Sequence, residues 1–178
     1  MDEKGAIAVL RKYSSEKRVF DIVLRHSLAV KMLALEFAKK HPKADKDFIV
    51  SACILHDIGR FECPPGDKTI FHGVVGARIL RKEGLKKHAF VAERHLGAGI
   101  SKEDIRKQGL PLPKKDFLPM SIEEKIITLA DSLIDLDKRI SLKKAAKRFE
   151  KEVSKDVADR LIDLYDEVCK RKDYKSSR

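Results

Sequence analysis

The sequence predicts an all-α protein, and two observations support that prediction. Long segments repeat apolar residues every three or four positions, which is the period of an α-helix. Helix-breaking residues fall between these segments, at Pro42, at Pro64-Pro65-Gly66 and at Gly97 with Gly99. No segment alternates apolar and polar residues as a half-buried strand would. At 178 residues, the chain is long enough to bury one compact core.

The periodic segments define nine helices in chain order. Ser101 with Asp104 and Ser121 with Glu124 match the capping pattern that opens a helix. We predict one domain, residues 1–178, with a core over about 17–140, a helical extension over about 141–173 and a polar tail over 174–178. The long helices are predicted at Glu16–Lys40, Ala44–Leu55, Ile70–Lys82, Lys86–Leu96, Ile122–Leu136 and Val153–Lys170, and the short ones at Ala6–Lys12, Lys102–Lys107 and Leu142–Glu150.

A histidine and an aspartate stand side by side at the end of the apolar run Ala52–Leu55. An Asp at the position of Asp57 is costly to bury unless something compensates its charge. A divalent cation would do so, because neutral imidazole nitrogen and carboxylate oxygen are ligands of Fe, Mn, Zn and Ni. His56 and Asp57 therefore predict part of a metal site.

Four more metal-competent side chains are predicted to face the core. His26 shares a helical face with Ile22, Val23, Val30 and Leu33. The apolar stripes of their own segments likewise place three other side chains inward: His72, His95 and Asp131.

Each histidine alone is more often a packed residue with one hydrogen bond than a ligand. The joint pattern of six inward residues favours the metal site. His41 precedes Pro42 at a helix end, and His88 follows two lysines, so both are expected to be solvated.

The order His26, His56-Asp57, Asp131 on helices resembles the HD superfamily of metal-dependent phosphohydrolases, and Asp57-Ile58-Gly59 completes the HDIG form of its signature. The segment 71–80 resembles the H-x-x-x-GA-x-x-L segment of the family. His95 stands where many members place a further ligand. The resemblance covers about residues 19–139 and implies a compact multi-helix HD-domain fold.

Members with only the first His, the His-Asp pair and the last Asp hold one metal, and members with two further histidines hold two. The resemblance therefore implies two divalent transition metals, either Fe, Mn, Ni, Co or Zn, that activate a water. Asp57 would contact both metals and is the expected catalytic carboxylate. His26, His56 and Asp131 would complete the first site, and His72 and His95 the second.

Three arginines are candidates to hold phosphate oxygens. Arg60 is the first choice, because it follows His56-Asp57 closely and a guanidinium can bind two oxygens at once. Many members carry Lys at this position. Arg94 and Arg139 are weaker candidates for substrate binding, and for them an ordinary solvated arginine is the competing interpretation. The loops Phe61–Thr69 and Leu110–Pro119 either border the site or merely connect helices.

Composition restricts the partners. The net charge of +11 would attract a phosphorylated ligand, although a surface rich in Lys, Arg and Glu is also typical of heat-adapted proteins. Nucleic acid is a possible partner, but the sequence gives it no specific support, because no basic stripe with interleaved aromatic residues is found. No segment is long and apolar enough for a membrane span, the N-terminus is too polar for a signal peptide, and three scattered cysteines fit a reducing compartment, so a cytoplasmic protein is expected.

The expected function is hydrolysis of a phosphoester or phosphoanhydride in a small nucleotide-like substrate. Two alternatives stay open, a phosphodiesterase for small cyclic phosphates and a module that binds a nucleotide without hydrolysing it. Cyclic-dinucleotide enzymes are disfavoured, because Leu96 follows His95 where those members carry a second histidine.

Overall fold

The computed structural model describes residues 1–66 and 69–169, and within them the chain forms nine α-helices and one short hairpin. The prediction of an all-α protein is confirmed. Short 3-10 helices lie at Ile58–Phe61 and Thr69–Phe71, between the third and fourth α-helices. The elements are α1 (Glu3–Lys12), α2 (Lys17–Ala38), α3 (Lys46–Leu55), α4 (His72–Lys82), α5 (Lys86–Arg94), α6 (Lys102–Gln108), α7 (Ile122–Ser132), β1 (Ile134–Asp135), β2 (Lys138–Arg139), α8 (Leu142–Glu152) and α9 (Lys155–Cys169).

Two apolar clusters form most of the core, and α2 and α3 belong to both. The first cluster joins α1, α4 and α5 to the N-terminal half of α2, where Val23 is buried. The second joins α7, α8 and α9 to the C-terminal half of α2, where Val30 is buried. His26 lies on α2 between these two residues, so it lies at the boundary of the two clusters.

The main departure from the predicted elements follows α7. The helix was expected to continue to Leu136, but it ends at Ser132 and the chain turns into the hairpin, where Ile134 pairs with Arg139. Leu136 adopts the left-handed conformation, with a φ of 57°, and its side chain is exposed. The expectation of a helix here is wrong because Asp135 and Asp137 favour a turn over an uninterrupted helix.

Three further expectations about burial are wrong. Ile22 was placed on the inner face of its helix but is 45% exposed. His88 is buried, with Nε2 2.9 Å from the hydroxyl of Ser51, because its face of α5 packs against α3. His41 is half-buried and donates from Nε2 to the carbonyl oxygen of Val168.

The predicted helical extension corresponds to α8 and α9 as far as Cys169. The predicted polar tail at 174–178, and the last residues of the predicted extension, lie outside the described residues. Among residues 1–66 and 69–169, no helix combines the length and the apolar character needed to span a bilayer.

Candidate metal centre

Five of the six predicted ligands lie at helix ends, and the sixth lies within α2. His56 and Asp57 follow the last residue of α3, His95 follows α5, and Asp131 is the penultimate residue of α7. Three helix C-termini, which carry partial negative charge, therefore converge on one region and favour a cation there. His72 is the first residue of α4 and faces the same region.

Asp57 lies at the centre of the cluster. Its Oδ1 is 3.1 Å from Nε2 of His72 and 3.5 Å from Nε2 of His95. Its Oδ2 is 3.9 Å from Nε2 of His26 and 4.0 Å from Nε2 of His56. Each carboxylate oxygen therefore faces a different pair of histidines.

Asp131 lies nearest to His26 and His56. Its Oδ1 is 3.0 Å from Nε2 of His26 and 3.5 Å from Nε2 of His56. Oδ2 of Asp57 thus lies nearest His26 and His56, and Oδ1 lies nearest His72 and His95. The two groups adjoin each other, because His56, His95 and Asp131 also form a set of close donor atoms. Within the described residues, donor atoms less than 4.8 Å apart form the sets His26–His56–Asp57, His56–His95–Asp131 and Asp57–His72–His95.

All four imidazoles are oriented by the same kind of hydrogen bond. A carbonyl oxygen can only accept, so the Nδ1 atom of each ring must carry the hydrogen. That leaves Nε2 of each ring directed at the carboxylates. Such backbone partners fix the tautomer of metal-binding histidines. The pairs of Nδ1 donor and carbonyl acceptor are His26 to Leu136, His56 to Cys53, His72 to Thr69 and His95 to Ala92.

The donor set is incomplete without a cation. Nε2 of His56 is fully buried and makes no hydrogen bond with any described residue. Nε2 of His72 lies 2.9 Å from Nε2 of His95, and when both rings are neutral with the hydrogen on Nδ1, these two nitrogens present lone pairs to each other. Divalent transition metals accept this combination of imidazole nitrogens and carboxylate oxygens. The residues therefore fit the metals that the sequence implies.

Both carboxylates are ionised. Burial works to raise the pKa of Asp57, but His56, His72 and His95 outweigh it and hold that pKa well below its usual range. Burial also opposes ionisation of Asp131, whose pKa the neighbouring histidines nevertheless hold well below the ordinary value. Two buried negative charges require compensation by protons or by metal cations.

The same carboxylates act on the histidines. Burial works to lower the pKa of His26, but the hydrogen bond and charge of Asp131 outweigh it and raise the pKa to about 9. Protons and metal ions therefore compete for the same nitrogen. Burial lowers the pKa of His95, which favours the neutral imidazole that a metal requires.

Gly59 allows α4 to approach the His56-Asp57 turn. A Cβ atom at Gly59 would lie 2.0 Å from the carbonyl oxygen of His72 and 2.7 Å from the amide nitrogen of Gly76. Only glycine fits against this backbone. The glycine of the motif is therefore explained by the close contact that places His72 beside Asp57.

Arg60 lies at the edge of the cluster. Its Nε is 3.3 Å from Oδ1 of Asp57, and its Nη1 donates to the hydroxyl of Thr69 at 3.1 Å. About a quarter of the side chain is exposed. The loop Phe61–Thr69 thus touches the site at its last residue. Asp67 and Lys68 in that loop lie outside the described residues.

The other two arginines pair with carboxylates that are not among the six predicted ligands. Nη1 of Arg94 is 2.9 Å from Glu124, and Nη1 of Arg139 is 3.0 Å from Glu36. Their roles in substrate binding stay predictions. In the second loop, Leu112 and Phe117 pack into a small apolar cluster with Ile100 and Ile105 of the adjoining segment.

The carbonyl groups that orient the histidines have no signal in the sequence. Three of them are at the third residue before the histidine, which is a geometry available at any helix end. The carbonyl of Leu136 is 110 positions from His26 and depends on the unpredicted hairpin. Backbone atoms carry no residue-type signal, so only the fold reveals this partner.

The comparisons with known proteins identify the family of this chain. The sequence profile described as HD domain matches residues 23–135, which include all six predicted ligands. The chain belongs to the HD-domain family. An uncharacterized protein of Methanocaldococcus jannaschii is 41% identical over 94% of this chain and 97% of its own length.

Two tRNA (cytidine(56)-2'-O)-methyltransferases are also similar to this HD-domain chain. The one from Thermoplasma volcanium is 38% identical over 92% of this chain, and the one from Picrophilus torridus is 34% identical over 94%. The chain spans 46% of the length of each of these two relatives.

Solved structures of the HD domain of the phosphodiesterase PgpH from L. monocytogenes share the fold. The complex with cyclic-di-AMP superimposes with a TM-score of 0.53 and 16% identity, over 94% of this chain and 98% of that one. A second structure of the same domain gives a TM-score of 0.54 and 18% identity, over 92% and 98%. At these identities the likeness shows the fold.

Proposed function

We propose that this protein is a metal-dependent phosphohydrolase that uses activated water on a phosphoester or phosphoanhydride of a nucleotide-like substrate. The observation that carries the proposal is the convergence of four Nε2 atoms and two ionised carboxylates beside one arginine. His26, His56 and Asp131 would hold a first metal with Oδ2 of Asp57. His72 and His95 would hold a second with Oδ1. Bound divalent metals lower the pKa of water and stabilise charge on phosphoryl oxygens.

The residues of this chain would perform three tasks around that chemistry. Asp57 and Asp131 supply the negative charge that retains the cations. The carbonyl partners hold the four imidazoles in the binding tautomer. Arg60 uses two of its five N–H groups on Asp57 and Thr69, so further donors remain for phosphoryl oxygens.

The substrate is proposed from two observations. The HD domain of PgpH, which has the same fold, was solved with a nucleotide, cyclic-di-AMP. The tRNA methyltransferase relatives favour a second candidate, hydrolysis of a phosphate or cyclic phosphate at the end of an RNA strand. Both candidates require the same phosphoryl chemistry, and they differ in what is attached to the phosphate.

A hydrolysis screen tests the proposal. The protein is loaded with Mn, Co, Ni or Fe and offered a generic phosphodiester, nucleotides, dinucleoside polyphosphates, small cyclic phosphates and short RNA with phosphate ends. We expect release of a phosphate or nucleotide product by the wild type. Asp57→Asn keeps the side-chain volume but removes charge at the centre of the site, so it should lose at least about 100-fold in kcat. Asp163→Asn, an exposed change on α9, is the matched control and should retain activity.

Two outcomes would contradict the enzyme assignment. A wild-type protein that holds its metals, binds a nucleotide and hydrolyses nothing in this screen would instead be a binding module. Full activity of Asp57→Asn would show that the chemistry lies elsewhere.

A further inference from the structure

A stripe of three lysines follows the outer face of α8. Lys143, Lys147 and Lys151 are four residues apart, so successive members lie on nearly the same side of the helix. Over eight residues the stripe extends about 12 Å. All three side chains are exposed. This basic stripe is a surface feature that the proposed hydrolysis does not use.

Within residues 1–66 and 69–169, the basic stripe has no partner of its own. None of its three lysines forms a hydrogen bond or an ion pair with any part of the chain that the structure describes, whereas Lys144 and Arg148 on the adjoining face approach Asp135 at 3.6 and 3.9 Å. Lysines at this spacing repel one another when no acidic side chain is paired with them. Their arrangement is therefore suited to an external anion with several charges.

The apolar face of α8 is already occupied. Ala145 and Phe149 are buried in the core, so this helix offers no free apolar face for insertion into a bilayer. A polyanion that needs only charge is a better match. A stacked nucleic-acid strand carries one phosphate per about 3.4 Å of its axis, so the stripe spans about three phosphates.

The hairpin connects α8 to the candidate metal centre. Arg148 donates to the carbonyl oxygen of Ser132, the residue after Asp131. Asp135 is close to Lys144 and Arg148 of α8. The next residue, Leu136, is exposed and accepts the hydrogen bond from His26. The hairpin that carries Leu136 therefore lies against the face of α8 next to the stripe, and the same hairpin contacts the ligand His26.

The geometry points to an RNA-docking surface: the basic stripe of α8 binds the backbone of a single-stranded RNA whose end reaches the metal centre past Leu136. This inference deepens the RNA-end form of the proposed function and rests on it. It assigns the affinity for the strand to the stripe and the chemistry to the metal centre. Removing stripe charge should therefore weaken strand binding without changing hydrolysis of a small phosphodiester.

Two measurements on the metal-loaded full chain test the inference. The first is fluorescence anisotropy with a labelled 12-nucleotide single-stranded RNA that has hydroxyl ends, at 50 to 200 mM salt. The stripe variant combines Lys143→Gln, Lys147→Gln and Lys151→Gln. The control variant combines Lys4→Gln, Lys82→Gln and Lys86→Gln, which removes the same charge from α1, α4 and α5. The second measurement is kcat/KM for the generic phosphodiester.

We expect the stripe variant to bind the RNA about tenfold or more weakly at 50 mM salt. The negative slope of log K against log salt should become shallower by about 2, since each of three lost phosphate contacts contributes about 0.7. The control should change less, and kcat/KM for the small substrate should be unchanged in both. Glutamine is a good helix former, so α8 should stay folded, which circular dichroism checks.

Several results would overturn the inference: no RNA binding by the wild type, equal loss in stripe and control variants, tighter binding to DNA of the same sequence, or binding of anionic vesicles in place of RNA. The anisotropy measurement needs no turnover. If the protein hydrolyses nothing in the screen but still binds RNA through the stripe, only the proposed enzymatic activity would be refuted. If the protein hydrolyses substrates in the screen but the stripe variant binds RNA as tightly as the wild type, only the docking surface would be refuted.

Discussion

Replacing Gly59 with alanine should damage the metal centre through backbone contact, without altering any ligand side chain. The added Cβ would lie 2.0 Å from the carbonyl oxygen of His72, whereas ordinary contact begins at 3.4 Å. The N-terminus of α4 would then have to retreat by about 1.4 Å, because a packed interior leaves little space elsewhere. Metal–ligand distances tolerate only about 0.2 Å. His72 should therefore lose its metal contact.

The expected cost in stability is about 1–3 kcal/mol, the usual range for overpacking a filled core. Urea unfolding of the metal-free protein measures this cost without the contribution of bound metal. Metal analysis of the reconstituted protein should show about one ion less per chain. Gly76→Ala is the graded control, since its Cβ would meet the amide nitrogen of Gly59 at 3.2 Å and requires a shift of only a few tenths of an ångström.

The reasoning would be refuted if Gly59→Ala matched the wild type in both unfolding free energy and metal content. It would also be refuted if Gly76→Ala were the more damaging of the two. If Gly59→Ala lost stability but kept all of its metal, Gly59 would be needed for packing but not for placing His72 at the metal.

The other predictions concern single side chains. His72→Ala or His95→Ala should each remove about one metal per chain and leave the other bound, by metal analysis; unchanged content in both would show that they are packing residues. Arg60→Ala should raise KM or lower kcat with unchanged metal content, and Arg60→Lys should restore part of the loss; loss of metal instead would contradict a role in phosphate binding. Burial lowers the pKa of His88 from 6.5 to about 4. The unfolded chain therefore takes up a proton before the folded one, and stability is lost as pH falls from about 6.5 to 4, by up to about 3 kcal/mol. His88→Gln should reduce that loss in urea titrations at several pH values, and an unchanged pH dependence would refute it.

The sequence predicted the inward direction of the six side chains better than the burial of the residues around them, for a physical reason. A buried ligand must lie on the apolar face of its helix, so the periodicity around His26 and Asp131 also showed their direction. The same rule failed for Ile22, which lies at the edge of that face and is exposed. Periodicity shows which side of a helix is apolar, but it does not show where the packed interface ends.

The hairpin after α7 could not be predicted by the same reasoning. Ile134 continues the apolar spacing of α7, yet it pairs with Arg139 in the hairpin. The hydrogen bond from His26 to Leu136 joins residues far apart in the chain, so local preference does not encode it. His88 was misjudged because neighbouring lysines were taken to describe its environment, whereas α3 packs against the other side of its helix.

The most direct test of the metal centre is anomalous diffraction from crystals of the protein loaded with Mn, Co, Ni or Fe, recorded at the absorption edge of that metal. The account predicts two anomalous peaks, separated by about 3.5–4 Å, on either side of the Asp57 carboxylate. One peak should lie about 2.0–2.3 Å from the ligand atoms of His26, His56 and Asp131, and the other at the same distance from those of His72 and His95. No peak among these six side chains at saturating metal would contradict the central claim.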